Sequence, residues 1–251
     1  MAVAAAGLPK GVRAWSYSRL MDYEKCPQLY KVKVIDKLPE PGSAAMERGG
    51  DIHKKAEAYL NSRKSKCPQE LKRVEPELKA LRRLGAVAED QWTFTRDFAG
   101  STSWFGKDAW ARLKIDSVAD IKFGDASSVR SLEVAGKAPS DKQVGVWVVD
   151  WKTGKFRPEA SVDQLELYVL GSFLLRPSAA FALASLAFTD VGQLVHSFVL
   201  RNPRTVSAMK AKWLKRVKPL QVETKFKPTP SDAACYWCFF SKKKGGPCKA
   251  G

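Results

Sequence analysis

The ten residues from Gly145 to Gly154, GVWVVDWKTG, constrain this chain more than any others. They form a short apolar run rich in β-branched side chains and end in a turn. That pattern predicts a buried central strand. Its far end is polar, and alternation sends Asp150 and Lys152 to the same face. An acid and a lysine side by side at a strand end suit a specific chemistry. The carboxylate can hold a divalent cation. The ammonium can orient or help deprotonate an attacking water, or offset charge growing on a phosphate. A lone D-x-K is equally a plain surface ion pair, so its meaning depends on what else the chain brings near it.

Three other places supply partners. Asp116 lies in the alternating stretch RLKIDSVADI, flanked by Ile115 and Val118. If that strand pairs antiparallel with the D-x-K strand, the two carboxylates approach, and their repulsion favours a bound cation. Asp120 shares the face of Asp116 at even spacing and stands as its rival. His53 opens a helix expected over 51–63, with Glu57 one turn later on the same face. The other histidine, His196, falls in a strand and reads as structural. Gln164 and Tyr168, spaced i, i+4 on the helix after the D-x-K strand, can approach the same lysine or a nucleic-acid backbone.

Around these positions the chain alternates element types. A helix starting at Trp15, capped by Ser16 or Ser18, is broken by Pro27 into two short pieces. LPEPGSAAMERGG reads as a loop, and a second helix covers 71–84, ending near Gly85. QWTFTRDF and AWARLKIDSVADIKF read as strands. Residues 124–143 read as a loop with a short strand at Ser131–Val134. SVDQLELYVLGSFLL is a helix capped by Ser161. AFALASLAF and QLVHSFVL are strands joined near Gly192, and NPRTVSAMKAKWLKRV is a basic helix. The expected class is α/β, with a flexible leader over 1–14, a core over 15–224 and a Cys-rich tail over 225–251.

Charge points to a polyanionic partner. Lys and Arg number 43 against 26 Asp and Glu, giving a formal +17 and a pI near 9.7. Nucleic acid comes first, because each phosphate contact releases condensed counterions, and an anionic membrane surface second. The most apolar later stretch, Ser178–Phe188, is shorter than the roughly 20 residues a membrane span needs. With no targeting signal at its start, the chain reads as cytosolic, and its five cysteines as thiols or metal ligands rather than disulfides. Cys235-Tyr-Trp-Cys238 and Cys248 make a metal site lacking one ligand, and Cys26 is the natural fourth. Four cysteines suit either an iron–sulfur cluster or zinc. The basic stretches KVKVIDK, SRKSK, KAKWLKRVK and SKKKGG offer phosphate contacts, with Tyr30 and Trp213 as candidates to stack on unpaired bases.

G-G-D-I-H at 49–53, K-I-D at 114–116, V-V-D-W-K-T-G-K at 148–155 and Q-L-E-L-Y at 164–168 occur in that order. Together with the opening S-x-S-R-L…Y-E-K-C-P, they make the chain resemble the RecB-like branch of the PD-(D/E)XK nucleases, similar to phage exonucleases and CRISPR-associated nucleases. The resemblance implies a mixed central sheet with helices on both faces. It implies Mg²⁺ or Mn²⁺ held by His53, Asp116, Asp150 and the Trp151 carbonyl, with Lys152 acting on the attacking water. Gln164 and Tyr168 match the family's Q-x-x-x-Y beside the site. It also favours a [4Fe–4S] cluster on Cys26, Cys235, Cys238 and Cys248, with zinc as the alternative. The function expected is a metal-dependent DNA exonuclease acting on linear single- or double-stranded DNA. Phage recombination, with a single-strand annealing protein as a possible partner, and CRISPR spacer processing are the settings it suggests. The rival is a non-catalytic DNA-binding or complex-assembly module on the same fold. A zinc-binding adaptor ranks last.

Overall fold

A computed structural model describes residues 12, 14–62, 64–130, 132–157 and 162–250. Most of the expected leader, the helix end at Arg63, the cap Ser161 and the strand start Ser131 lie outside that set. The chain divides into two compact units. One takes the segment ending at Gly42, Thr93–Arg112 and the segment from Ala211 onward. The other takes Ser43–Trp92 and Leu113–Lys210.

The second unit is built on a mixed sheet. Five strands stand in sequence order: β1 (Val87–Phe94), β2 (Ala111–Lys122), β3 (Val144–Lys152), β4 (Phe181–Phe188) and β5 (Gln193–Leu200). β2 and β3 are antiparallel, β3 and β4 parallel, and β4 and β5 antiparallel. The expected buried centre is β3, whose residues from Gly145 to Trp151 are all buried. β4 is buried along its whole length, as a parallel neighbour covered on both faces must be. The β4–β5 turn closes at Gly192, whose φ of +67° is open to glycine without strain. Gly145 has a packing reason. A Cβ there would sit 2.5 Å from the Phe181 ring.

Trp147, Val149 and Trp151 of β3 share a core with Ile52, Ala56, Tyr59 and Leu60 of α3 (Ala44–Asn61) and with Leu78 and Leu81 of α4 (Glu75–Arg83). By alternation Asp150 and Lys152 point to the opposite face. Tyr168 of α6 (Val162–Leu175) meets Asp150 there. Two tryptophans are tied down on the first face. Trp147 Nε1 donates to Ser185 Oγ at 3.0 Å and Trp151 Nε1 to Ser117 Oγ at 3.2 Å. Ser185 Oγ also lies 2.7 Å from His196 Nδ1, while His196 Nε2 lies 2.7 Å from the Arg130 carbonyl. Burial pushes the His196 pKa down, which favours the neutral ring this network needs.

Several boundaries differ from the sequence reading. The helix read from Asp51 begins at Ala44, where the Ser43 side chain accepts from the Met46 N–H at 3.3 Å. Gly49 and Gly50 lie inside it, so His53 sits well within the helix rather than opening it. The 71–84 helix is a 3₁₀ stretch, Gln69–Val74, followed by α4. β1 starts four residues before Gln91, and Arg96–Phe98 leaves the strand as a 3₁₀ turn. In the loop after β2, a short helix α5 (Phe123–Ala126) appears, and residues 132–134 carry no strand.

In the first unit Trp15 is not helical. It bridges to Ala111, and its ring packs edge-on to Trp110 at 5.5 Å. The break at Pro27 is there, between α1 (Tyr17–Lys25) and α2 (Pro27–Tyr30), and a π-helical turn Lys31–Ile35 continues α2. Ser16 stands at the N-cap, but its hydroxyl makes no cap hydrogen bond. The basic helix α7 (Pro203–Val222) enters this unit at Ala211, and α8 (Asp232–Tyr236) opens the tail. Among the described residues, no helix is long and apolar enough to cross a membrane.

Candidate active site

The register of β2 on β3 assembles the acids. Its last ladder pair is Ser117 with Val149, so Asp116 and Asp150 stand side by side just beyond it. There the Trp151 N–H, which has run out of ladder, donates to Asp116 Oδ2 at 2.9 Å. Asp120 pairs with Val146, far down the strand. It is exposed and holds Arg176 at 3.1 Å. The geometry thus separates the two rivals and puts Asp116 beside Asp150.

Around this pair the other sequence candidates converge. His53 Nδ1 of α3 lies 3.2 Å from Asp116 Oδ1. Lys152 Nζ lies 2.7 Å from Asp150 Oδ2 and donates to Gln164 Oε1 at 3.2 Å. Gln164 Nε2 donates to Tyr168 OH at 2.5 Å, and that hydroxyl stands 3.5 Å from Asp150 Oδ2. The i, i+4 pair therefore forms a chain from the lysine back to the acid. Glu57, one turn from His53, is not among the groups that gather on Asp116.

Glu89 is the residue the sequence reading missed. A ligand atom of Glu89 lies within 4.8 Å of ligand atoms of both His53 and Asp116. It pairs with Lys114, next to Ile115 on β2. Its φ is +55°, uncommon for a residue with a Cβ. It lies two residues ahead of the alternating run QWTFTRDF, outside the strand read from sequence.

The electrostatics are those of a site poised for a cation. Burial drives the Asp150 carboxyl up to about 7; Lys152 opposes the rise and Asp116 adds to it. Burial pushes Asp116 up as well. The hydrogen bonds from His53 and Asp150 and the Trp151 N–H outweigh this, so it stays below the usual carboxylate range. His53 is raised, chiefly by its hydrogen bond to Asp116. Burial and then the two acids hold the Tyr168 phenol well above its usual value, so it remains a neutral donor. A divalent cation replaces the protons that these groups otherwise share. His53, Glu89, Asp116 and Asp150 are the oxygen and nitrogen donors that suit one.

A second set of hydrogen bonds fixes the lysine's backbone. Thr189, just after β4, donates to the Lys152 carbonyl from its N–H at 2.9 Å and its Oγ1 at 3.1 Å. Asp190 accepts from the Gly154 N–H at 2.7 Å. Arg48 of α3 grips Asp190 with both terminal guanidinium nitrogens. The same helix carries His53, so one element locates both sides of the site.

A model of the PD-(D/E)XK nuclease superfamily matches residues 14–242. The chain belongs to this superfamily. No protein of curated function matches it in sequence. Among solved structures the nuclease is similar to SSO0001, at 12% identity over 96% of this chain and 88% of that one, with a TM-score of 0.40. It is also similar to a Eubacterium rectale protein provisionally described as an exonuclease. That match has 12% identity over 90% of this chain and 88% of that one, with a TM-score of 0.41.

For a nuclease the Arg48–Asp190 clamp has a measurable consequence. Asp190→Ala is expected to lower kcat roughly 10- to 100-fold, the effect of a small misplacement of a reacting group, with KM little changed. Steady-state kinetics on linear DNA check this. A rise in KM alone would show that Asp190 serves binding and not the placement of Lys152.

In the first unit, the four cysteines named from sequence line one cavity, with Leu29 and Phe240 on its apolar side. The Thr229 N–H points at Cys26 Sγ at 3.5 Å. Burial raises the Cys26 thiol, but N–H groups of Thr229, Leu29 and Gln28 outweigh it and lower its pKa. Thiolate ligands are favoured by such donors. Cys67 is buried in the core of the other unit.

The proposed stacking residues are corrected. Tyr30 and Trp213 are fully buried, Tyr30 stacked on Phe226 at 6.0 Å and Trp213 on Trp15 at 6.1 Å. Neither ring is open to a base. Two of the three lysines of KVKVIDK are also engaged internally. Lys31 pairs with Asp36, and Lys33 with Asp22 and Glu40.

Proposed function

We infer that this nuclease is a divalent-metal-dependent deoxyribonuclease that degrades DNA from its ends. One observation carries the reading: Asp116 and Asp150 meet at the open end of the β2–β3 ladder with His53, Glu89 and Lys152 around them. His53, Glu89, Asp116, Asp150 and the Trp151 carbonyl would hold Mg²⁺ or Mn²⁺. Bound there, the cation supplies Lewis-acid polarisation of the scissile phosphate. Lys152 presents its ammonium on the same face, where it orients the attacking water and offsets charge on the phosphate. Gln164 holds that ammonium in place, and Tyr168 fixes Gln164.

The test uses end-labelled linear DNA and closed-circular DNA, with and without Mg²⁺ or Mn²⁺, beside Asp150→Ala. Metal-dependent loss of the linear form alone, absent in the variant, is the expected result. Survival of both DNAs together with salt-sensitive binding would replace this reading with a DNA-binding module.

The four cysteines are proposed to hold a [4Fe–4S] cluster that ties the tail to Cys26. Protein purified without oxygen is expected to carry about four iron atoms and visible charge-transfer absorption. Cys235→Ser is expected to lose the iron and lower the Tm. Colourless protein with one zinc would overturn the cluster.

A further inference from the structure

The tail presents a surface that the nuclease centre does not use. Six of the eight tryptophans are at most 5% exposed: Trp15, Trp92, Trp110, Trp147, Trp151 and Trp213. Trp237 is 69% exposed and its neighbour Tyr236 66%. Leaving two large aromatics in water forgoes the burial that the chain gives to nearly all its other tryptophans.

The local backbone explains how they are held out. Cys235 and Cys238 face the cavity, and the Cys238 N–H bonds to the Cys235 carbonyl at 3.1 Å. The two residues between them are turned outward by that turn. Their rings meet edge to face with centroids 4.9 Å apart, so they form one surface.

Lysines are mounted on the same loop. The Ser241 N–H bonds to the Cys238 carbonyl at 3.2 Å, and the exposed 3₁₀ turn Lys242–Lys244 comes directly after it. Lys244 lies over the Phe239 ring at 5.0 Å. The turn ends at Gly245 with φ +74°, and the Cys248 N–H returns to the Phe240 carbonyl at 3.0 Å. Four residues lie between Trp237 and Lys242, so five steps of chain set a span of at most roughly 17 Å. Exposed rings and exposed lysines therefore share one anchored loop.

We propose that Tyr236, Trp237 and Lys242–Lys244 form a docking surface for single-stranded nucleic acid, with bases stacked on the rings and phosphates on the lysines. Bare phosphate explains the lysines and leaves the rings without a purpose. A single strand uses both, because its unpaired bases offer flat faces at the spacing of its charges. Duplex DNA hides those faces. The choice of nucleic acid over other polyanions rests on the nuclease reading. The surface makes that reading more specific: it favours a frayed or single-stranded end.

Binding is measured on the full chain without divalent ions, so it is read separately from cleavage. The probe is a fluorescein-labelled oligothymidylate, compared with an abasic strand of equal length and with the matching blunt duplex. The oligothymidylate is expected to bind tightest. Trp237→Ala is expected to weaken its binding roughly 5- to 100-fold, the loss of one stacked base. Trp237→Phe keeps a ring and is expected to retain most of the affinity. Replacing the three lysines with alanine is expected to lower the slope of log K against log salt by about 2. Equal affinity for the abasic strand, or unchanged affinity in Trp237→Ala, would overturn the proposal. So would binding to phosphatidylserine vesicles with none to the oligothymidylate, which would make this a membrane contact. Absence of cleavage in Mg²⁺ alongside normal strand binding would remove the nuclease reading and leave the surface standing.

Discussion

Asp150→Asn is expected to abolish cleavage, by about 10³-fold or more, and at the same time to raise the Tm of the metal-free protein. The two effects share one cause. Burial raises the Asp150 carboxyl to about 7, far above its ordinary range. A group whose folded pKa is raised stabilises the fold only while it holds its proton. That stability is present below the ordinary carboxylate range and is lost as pH rises toward 7. At pH near 8 the charged carboxylate is therefore a strain on the fold, with Asp116 beside it and Lys152 offsetting part of the cost. Asparagine keeps the shape and removes the charge. The gain is on the order of 1–3 kcal/mol, or roughly 2–4 °C in Tm per kcal/mol for a chain of this size. Calorimetry without divalent ions at about pH 8 measures it. Added Mg²⁺ is expected to raise the wild-type Tm and leave the variant nearly unmoved. An equal response to Mg²⁺ in both proteins would remove Asp150 from the metal site.

Features set by regular spacing were legible in the sequence. Asp150 and Lys152 share a face because a strand alternates, and Gln164 and Tyr168 converge because a helix turns every 3.6 residues. Features that depend on irregular backbone or on distant chain were hidden. Glu89 escaped because the strand read from sequence begins at Gln91, whereas β1 starts at Val87 and bends at Glu89 with a positive φ. An acid directly after Ala-Val-Ala and just ahead of an alternating run was the available signal. The start of α3 escaped because Gly49-Gly50 reads as a break. Each glycine costs a helix about 1 kcal/mol against alanine, and the Ser43 cap with a buried face of Ile52, Ala56 and Tyr59 outweighs that. Asp190 carries no pattern that singles it out in the sequence. Its role is visible only when Arg48, 142 residues earlier, and Gly154 close on it. The resemblance favours Asp116 over Asp120; the residues alone leave both open, because the long segment 124–143 leaves the register undetermined in sequence.

Lys152→Ala is expected to lower kcat about 10²- to 10⁴-fold while the divalent cation still binds at about pH 8. In the proposed site, removing Asp150 would remove a ligand, and removing Lys152 would remove a charge that acts on the reacting groups. The lysine has a second effect that separates it from a merely structural residue. Its ammonium, 2.7 Å from Asp150 Oδ2, pulls that carboxyl down against burial. Without it the Asp150 pKa moves further up. A proton and a cation compete for this carboxylate, so wild-type cation affinity is expected to fall as pH drops below about 7. In Lys152→Ala the fall begins at higher pH. The His53 proton adds to the same trend in both proteins, since His53 is raised by Asp116 and must be neutral to ligate. Titration calorimetry with Mn²⁺ from about pH 6 to about pH 9 resolves the displacement. A variant with lost turnover but an unchanged pH profile of Mn²⁺ binding would mean that Lys152 does not share the field of Asp150 in solution, and that its ammonium works on the phosphate from another position.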